Sequence, residues 1–302
     1  MTTSLLFLVL VLAMAPLLPG VAARTRALLT GRRGAPVWQL YLDLWKLAGR
    51  GAVYSTTATW ILRFAPVAVV STAIAAASLV PLDGHASVLR FSGDAVAFAY
   101  VLALGRFAIV LGALDTGSSF EGMGASREVT FASIVEGGLL LTFAALTVAT
   151  GELTMTGMFG GPLAARAGGA TPPLVLLAVG LFALMLAECS RVPVDDPTTH
   201  LELTMVHEVM VLDHGGPDLA LILYANALKL ALFSTLAVGV VVPRARWGEP
   251  LATLGLVAGW FASAVAVGIV ESVMARLRMT KVPLYLLGSA ALGGCALILL
   301  LR

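Results

Sequence analysis

ALILYANALKLALFSTLAVGVVV, residues 220–242, runs for 23 residues with a single charge, Lys229, near its middle. An α-helix needs roughly 20 predominantly apolar residues to cross the hydrocarbon core of a bilayer, so this stretch reads as a membrane span. Outward from it the pattern repeats. Apolar runs bounded by charge, Pro or Gly lie at about 4–22, 57–80, 95–114, 129–150, 173–190, 250–271 and 282–301, which makes eight expected helices. Of the 302 residues 59% are hydrophobic and 12% charged, with a mean hydropathy of +0.96. Soluble domains carry about 25% charged residues, so a soluble globule is excluded. The chain reads as an all-α integral membrane protein, one membrane domain over 1–302 with two structured loops. The first run has no Lys or Arg before Arg24 and therefore reads as a span rather than a secretory signal.

Positive residues are retained on the cytoplasmic side during insertion, so their distribution orients the bundle. Odd-numbered loops hold eleven Lys or Arg, and even-numbered loops with the C-terminus hold five. Loops one, three, five and seven are therefore expected in the cytoplasm and both termini outside, in a plasma membrane. Two of those loops are long. Residues 23–56 carry six Lys or Arg against the single Asp43, whereas 191–219 carry six acids against the single Arg191. Long loops on one face usually carry function, and opposite charges invite these two to dock. Formal net charge is only +2, so nothing points to nucleic acid. Cys189 and Cys295 form no CxxC pair and no spacing suited to zinc or an iron–sulfur cluster, so a redox centre is expected only in partners.

Ionisable groups inside spans cost about 2.5–3.5 kcal/mol each and so need a partner, confined water or a role. Arg106, Glu136 and Lys229 lie well inside their runs; Arg63, Glu188 and Glu271 lie near ends, where snorkelling weakens the signal. Two readings stand side by side: an internal ion pair that orients helices, and a path for protons, which the displaced pKa values of such groups would permit. The richest segment is ECSRVPVDDPTTHLELTMVHEVMVLDHGG, Glu188 to Gly216. Asp196-Pro197 resembles a helix start, and a helix over about 197–213 would set His200, His207 and His214 on one stripe. Seven residues of helix rise about 10 Å, too far for two imidazoles on one ion, so no metal is expected. The acids Asp195, Asp196, Glu202 and Glu208 are the candidate carriers. In GRRGAPVWQLYLDLWKLAGRGAV, Gly31 to Val53, the turn residues precede a short helix with Trp38, Tyr41, Leu42 and Trp45 on an apolar face, as expected at a membrane surface.

Three stretches together resemble subunit 1 of respiratory complex I and its counterparts in membrane-bound hydrogenases. Arg32, Arg33, Gln39, Asp43, Lys46 and Leu47 follow the family's first-loop frame, with Leu40 where a Pro is usual. Leu114 to Gly138, with Gly124, Ser126, Arg127, Glu128 and Glu136, is similar to the hydrogenase branch. Glu188, Arg191, Pro193, Asp195 or Asp196, Pro197, Glu202 and Leu203 match an E-x-x-R-x-P-x-D-x-P frame and the acidic run after it. Thr198, Thr199 and His200 depart from the complex I branch and resemble formate hydrogenlyase subunit 4 or hydrogenase-4 component C; the later family acid corresponds to Glu208 or Asp213.

The resemblance implies an eight-helix, non-catalytic subunit of a multi-subunit oxidoreductase. It would hold no cofactor of its own, with iron–sulfur clusters and a [NiFe] site in hydrophilic partner subunits and antiporter-like subunits beside it in the lipid. It implies an ion path, for H⁺ or Na⁺, through Glu136, Glu188, Asp195, Asp196, Glu202, Glu208, Lys229 and Arg106. The surface facing the hydrophilic arm would include Arg32, Arg33, Gln39, Asp43, Lys46, Arg127, Glu128 and Arg191. A quinone-site subunit is the alternative within the family, and a stand-alone secondary transporter the alternative outside it.

Overall fold

The computed structural model describes residues 2–81, 86–159, 171–196, 205–241 and 249–302. Glu202 and His200, with the rest of 197–204, lie outside these. Among the described residues there are eleven α-helices and no strand: α1 Thr2–Met14, α2 Leu17–Leu29, α3 Gln39–Ala48, α4 Trp60–Leu79, α5 Asp94–Asp115, α6 Ser119–Thr150, α7 Met155–Phe159, α8 Thr171–Glu188, α9 Gly216–Val241, α10 Glu249–Val273 and α11 Val282–Leu300. Six are long and apolar enough to span a membrane unaided. The bent pair α1–α2 makes a seventh, and α8 is the shorter apolar helix that fills the fifth expected place. This is a multi-pass all-α membrane protein.

Helix α9, the run with Lys229 near its middle, is the centre of the bundle. Leu228 to Leu236 are buried without interruption, so it is covered on every side, as an apolar helix with no polar face should be. It packs on α4, α8, α10 and the surface helix α3. Around it α4 lies along α5, α2 along α10, and α11 along α6 and α8. Without a hydrophobic drive between spans, close approach of small residues matters most. A Cβ on Gly138 would stand 3.2 Å from Ala290 Cβ and one on Gly293 3.1 Å from Thr142 Oγ1, so α6 and α11 meet at distances that only small residues allow.

Three expectations need correction. The first run is not one helix: it breaks at Ala15-Pro16 with a 42° bend and continues to Leu29, which puts Arg24 and Arg26 inside α2 rather than in a loop. Pro16 has no N–H to give Leu12, and the bend withdraws the donor from Ala13. Two tyrosine hydroxyls replace them: Tyr224 of α9 donates to Leu12 O at 2.9 Å and Tyr41 of α3 donates to Ala13 O. Second, α6 begins ten residues earlier than its apolar run, because Glu121, Arg127 and Glu128 each find a partner along it. Third, the helix expected over 197–213 is absent from its described part. Residues 205–207 are extended or turning, and only Glu208–Val211 forms a 3₁₀ turn. His207 and His214 therefore share no helical stripe, and His200 lies outside the described residues.

Candidate functional site

Arg106 sits midway along α5, buried, with each guanidinium nitrogen on a different carboxylate. Nε meets Glu128 at 3.3 Å, Nη1 meets Glu136 at 2.7 Å, and Nη2 donates to Glu188. Glu128 and Glu136 are eight residues apart on α6, about 12 Å of helix rise, so the planar fork spans the gap between them. Glu188 is the last residue of α8. Exposure of the acid side chains rises from 3% at Glu188 through 19% at Glu128 to 34% at Glu136, so the cluster runs from the bundle interior toward its flank. Lys229 of α9 is buried near the cluster, close enough for its charge to act on Glu188, Glu128 and His207.

Two cavities touch the cluster. One of about 20 Å³, room for about one water, is lined by Arg106, Glu128, Glu188, Ser190, Asp195 and Val206. The other, about 290 Å³, is a groove between α5 and α6 into which Glu136 and Ser133 face. Of the three charges well inside their runs, Arg106 and Glu136 are therefore paired, and two more acids join them. Glu128, assigned from the sequence to the arm-facing surface, joins the Arg106 cluster with its side chain 19% exposed.

The remaining candidates divide. Asp195 is buried and pairs with Arg276 at 2.8 Å; Asp196 pairs with Arg26 at 3.5 Å; Arg191 pairs with Glu271 at 3.2 Å. Arg127 donates to Met205 O at 3.0 Å. Gln39 and Asp43 bond one another along α3, 2.9 Å, while Arg32, Arg33 and Lys46 are exposed. Glu208 opens the 3₁₀ turn, half-buried. The two charged segments, 23–56 and 191–219, do touch, partly through residues that the structure places in α2 and α9. Besides Arg26–Asp196, Tyr54 donates to Asp218 Oδ2 at 2.7 Å, and Gly216 lies so near the carbonyls of Arg50 and Gly51 that a Cβ there would stand 3.0 Å or less from both. Burial and, next, Lys229 hold the His207 imidazole down at about 4, and its Nε2 lies 2.8 Å from Asn226 Nδ2. His214 is buried beside Asp218, Nδ1 to Oδ2 4.0 Å, and desolvation lowers it below the ordinary histidine range.

Asn226 and Arg276 went unremarked in the sequence. Asn226 could have been found from its place one turn before Lys229; the pairing of Arg276 carries no local signal.

A polytopic bundle with a guanidinium and three carboxylates clustered inside it defines an integral membrane protein with an internal ion cluster, and comparison with known proteins gives its family. The chain belongs to the NADH dehydrogenase family of complex I subunit 1 type, which it matches over residues 1–301. It is 34% identical to hydrogenase-4 component C of Escherichia coli K12 over 248 residues, 80% of this chain and 75% of that one. It is 29% identical to formate hydrogenlyase subunit 4 of the same organism over 284 residues, 90% and 89% of the two chains. Its fold matches a chain of the membrane-bound sulfane sulfur reductase, an archaeal respiratory membrane complex, with a TM-score of 0.79, 18% identity and 98% coverage of both. Its relatives are thus subunits of hydrogenase-4 and of formate hydrogenlyase, and this chain is a multi-pass membrane protein of that family.

Proposed function

We propose that the chain anchors a hydrogenase- or formate hydrogenlyase-type hydrophilic arm and carries the first section of its ion path at the Arg106 cluster. The observation that carries this reading is one guanidinium shared among three acids. A proton taken up by any one acid releases the guanidinium toward the other two, so charge can step from Glu188 to Glu136 through small movements of Arg106 and of a water entering the adjoining cavity. Electron arrival in the arm, on iron–sulfur and [NiFe] centres held by partner subunits, would bias the acids nearest the 191–213 segment. Glu136 would pass the ion, H⁺ or Na⁺, toward antiporter-like neighbours. The basic and acidic loops then face the cytoplasm and both termini face outward.

The quinone alternative has a candidate space beside loop one, about 380 Å³, where Arg26, Arg32, Arg191 and Glu271 share the lining with Ala23, Ala27, Thr30 and Gly34; quinone detected in the purified complex would favour that reading. Glu136→Gln in the assembled complex is the test. Ion uptake by inverted vesicles should fall far more than electron transfer; equal loss of both, with assembly intact, would make the cluster a structural ion pair. Transport by the isolated chain in liposomes would instead establish a stand-alone transporter.

A further inference from the structure

Asp195 uses all of its acceptor capacity. Oδ1 accepts the Asp196 N–H at 3.0 Å and pairs with Arg276 Nη2 at 2.8 Å; Oδ2 accepts the N–H groups of Val206 at 3.2 Å and His207 at 3.0 Å. Four donors fill the roughly four lone-pair sites of a carboxylate, which makes Asp195 an anchor for the 205–207 segment. Arg127 grips the same segment at Met205 O. So held, Val206 forms part of the wall of the one-water cavity beside Arg106, Glu128 and Glu188, and His207 is turned onto Asn226. Arg276 reaches this anchor from just beyond α10. The end of that helix is fixed to the same loop by Arg191–Glu271 and by the Leu277 N–H donating to Pro193 O at 2.9 Å.

We propose that Arg276 is a positioning residue of the Arg106 cluster: through Asp195 it fixes the 205–207 segment, and it thereby ties the end of α10 to the wall of the cavity in which protons are exchanged. The functional weight of this assignment rests on the ion-path reading above; its geometric test does not. Without Arg276, Asp195 keeps only neutral donors among the described residues while still buried, an arrangement carboxylates tolerate badly, and the segment must move until water reaches it. The imidazole of His207 reports that movement. The charged groups acting on it are Lys229 of α9, Asp195 of its own loop and Arg106 of α5.

The experiment follows the ring titration of ¹⁵N-histidine in the full chain in nanodiscs. The chain has four histidines, and the His207→Gln spectrum identifies the signal. In the native chain the midpoint should lie near 4; in Arg276→Gln it should climb toward 6.5, and Arg276→Lys should bring it most of the way back. In the assembled complex, ion uptake per electron should fall roughly ten- to a hundredfold in Arg276→Gln, the scale of a misplaced reacting geometry, and recover with Lys. If Arg276→Gln does not insert, the Asp195→Asn, Arg276→Gln double variant leaves no unpaired buried charge but sets an amide N–H₂ where one of the carboxylate oxygens accepted backbone N–H groups, and the same climb of the His207 midpoint is expected. A His207 midpoint that stays near 4 in the variant overturns the assignment whatever transport does. Should the midpoint move while Glu188→Gln leaves transport intact, the ion-path reading fails and the positioning role stands.

Discussion

At Arg106 each guanidinium nitrogen has its own acid, so removing the side chain leaves three carboxylates around a buried space with Lys229 as the remaining cation nearby. Breaking a buried pair in this way costs about 3–5 kcal/mol, and here it should cost at least that. Arg106→Met should therefore lower the thermal stability of the purified chain sharply, and adding Glu128→Gln with Glu188→Gln should restore most of it. His207 gives a second expectation. Its folded value of about 4 lies below the unfolded 6.5, so the unfolded chain binds the extra proton between them and stability falls as pH drops through that window. Thermal unfolding from pH 7 to pH 4 should show this loss, and His207→Gln should lessen it, leaving the part that the lowered His214 contributes. Arg106, Glu136 and Lys229 were legible in the sequence because a charge inside an apolar run is costly anywhere. Glu128 and Arg276 were not, because hydropathy assigns both to loops, and what defines them is a contact made across the fold.

Among the elements, α6 repays closest attention at Gly124. A Cβ there would overlap Val209 Cγ1 and stand 3.0 Å from Val206 O, so only glycine lets the 205–211 segment lie on this helix. Gly124→Ala should push the segment outward and raise the His207 midpoint even with Arg276 in place, measured by the same ring titration. The start of α6 held a missed signal. Ser118 and Glu121 have capping-box spacing, yet the Ser118 side chain makes no cap bond and the Glu121 carboxylate accepts the Asp213 N–H at 3.1 Å. A helix start could have been read there, but not the use to which its acid is put. The expected 197–213 helix erred for a related reason. Asp-Pro and histidines seven residues apart describe what a helix would present, while Asp195 draws the backbone N–H groups of Val206 and His207 out of any helical ladder. The tyrosine bonds at the α1–α2 break should each contribute about 1 kcal/mol. Tyr41→Phe should loosen α3 from α1, seen as faster proteolysis of loop one, while Tyr224→Phe should not.

For the molecule as a whole, hydropathy alone recovered the positions of the spans to within a few residues, apart from the break in the first and the early start of α6, since bilayer thickness fixes helix length. It could not say that α9 would be central. That follows from uninterrupted burial between Leu228 and Leu236, which depends on every neighbour at once. Orientation is open to direct measurement: tags at both ends should be cut by protease added to intact cells and protected in inverted vesicles. The two-loop contact should be sensitive to charge, so Arg26→Glu, which opposes Asp196, should release a bound hydrophilic arm at lower salt than the native chain does. The broken first helix also sets an order of events during synthesis. Leu12 and Ala13 enter the membrane first, but the hydroxyl that satisfies Leu12 belongs to Tyr224, translated some two hundred residues later. Until α9 arrives that carbonyl faces lipid without a donor, so the nascent bundle matures last at the end made first. Chains arrested before α9 should accordingly be cleared by membrane proteases.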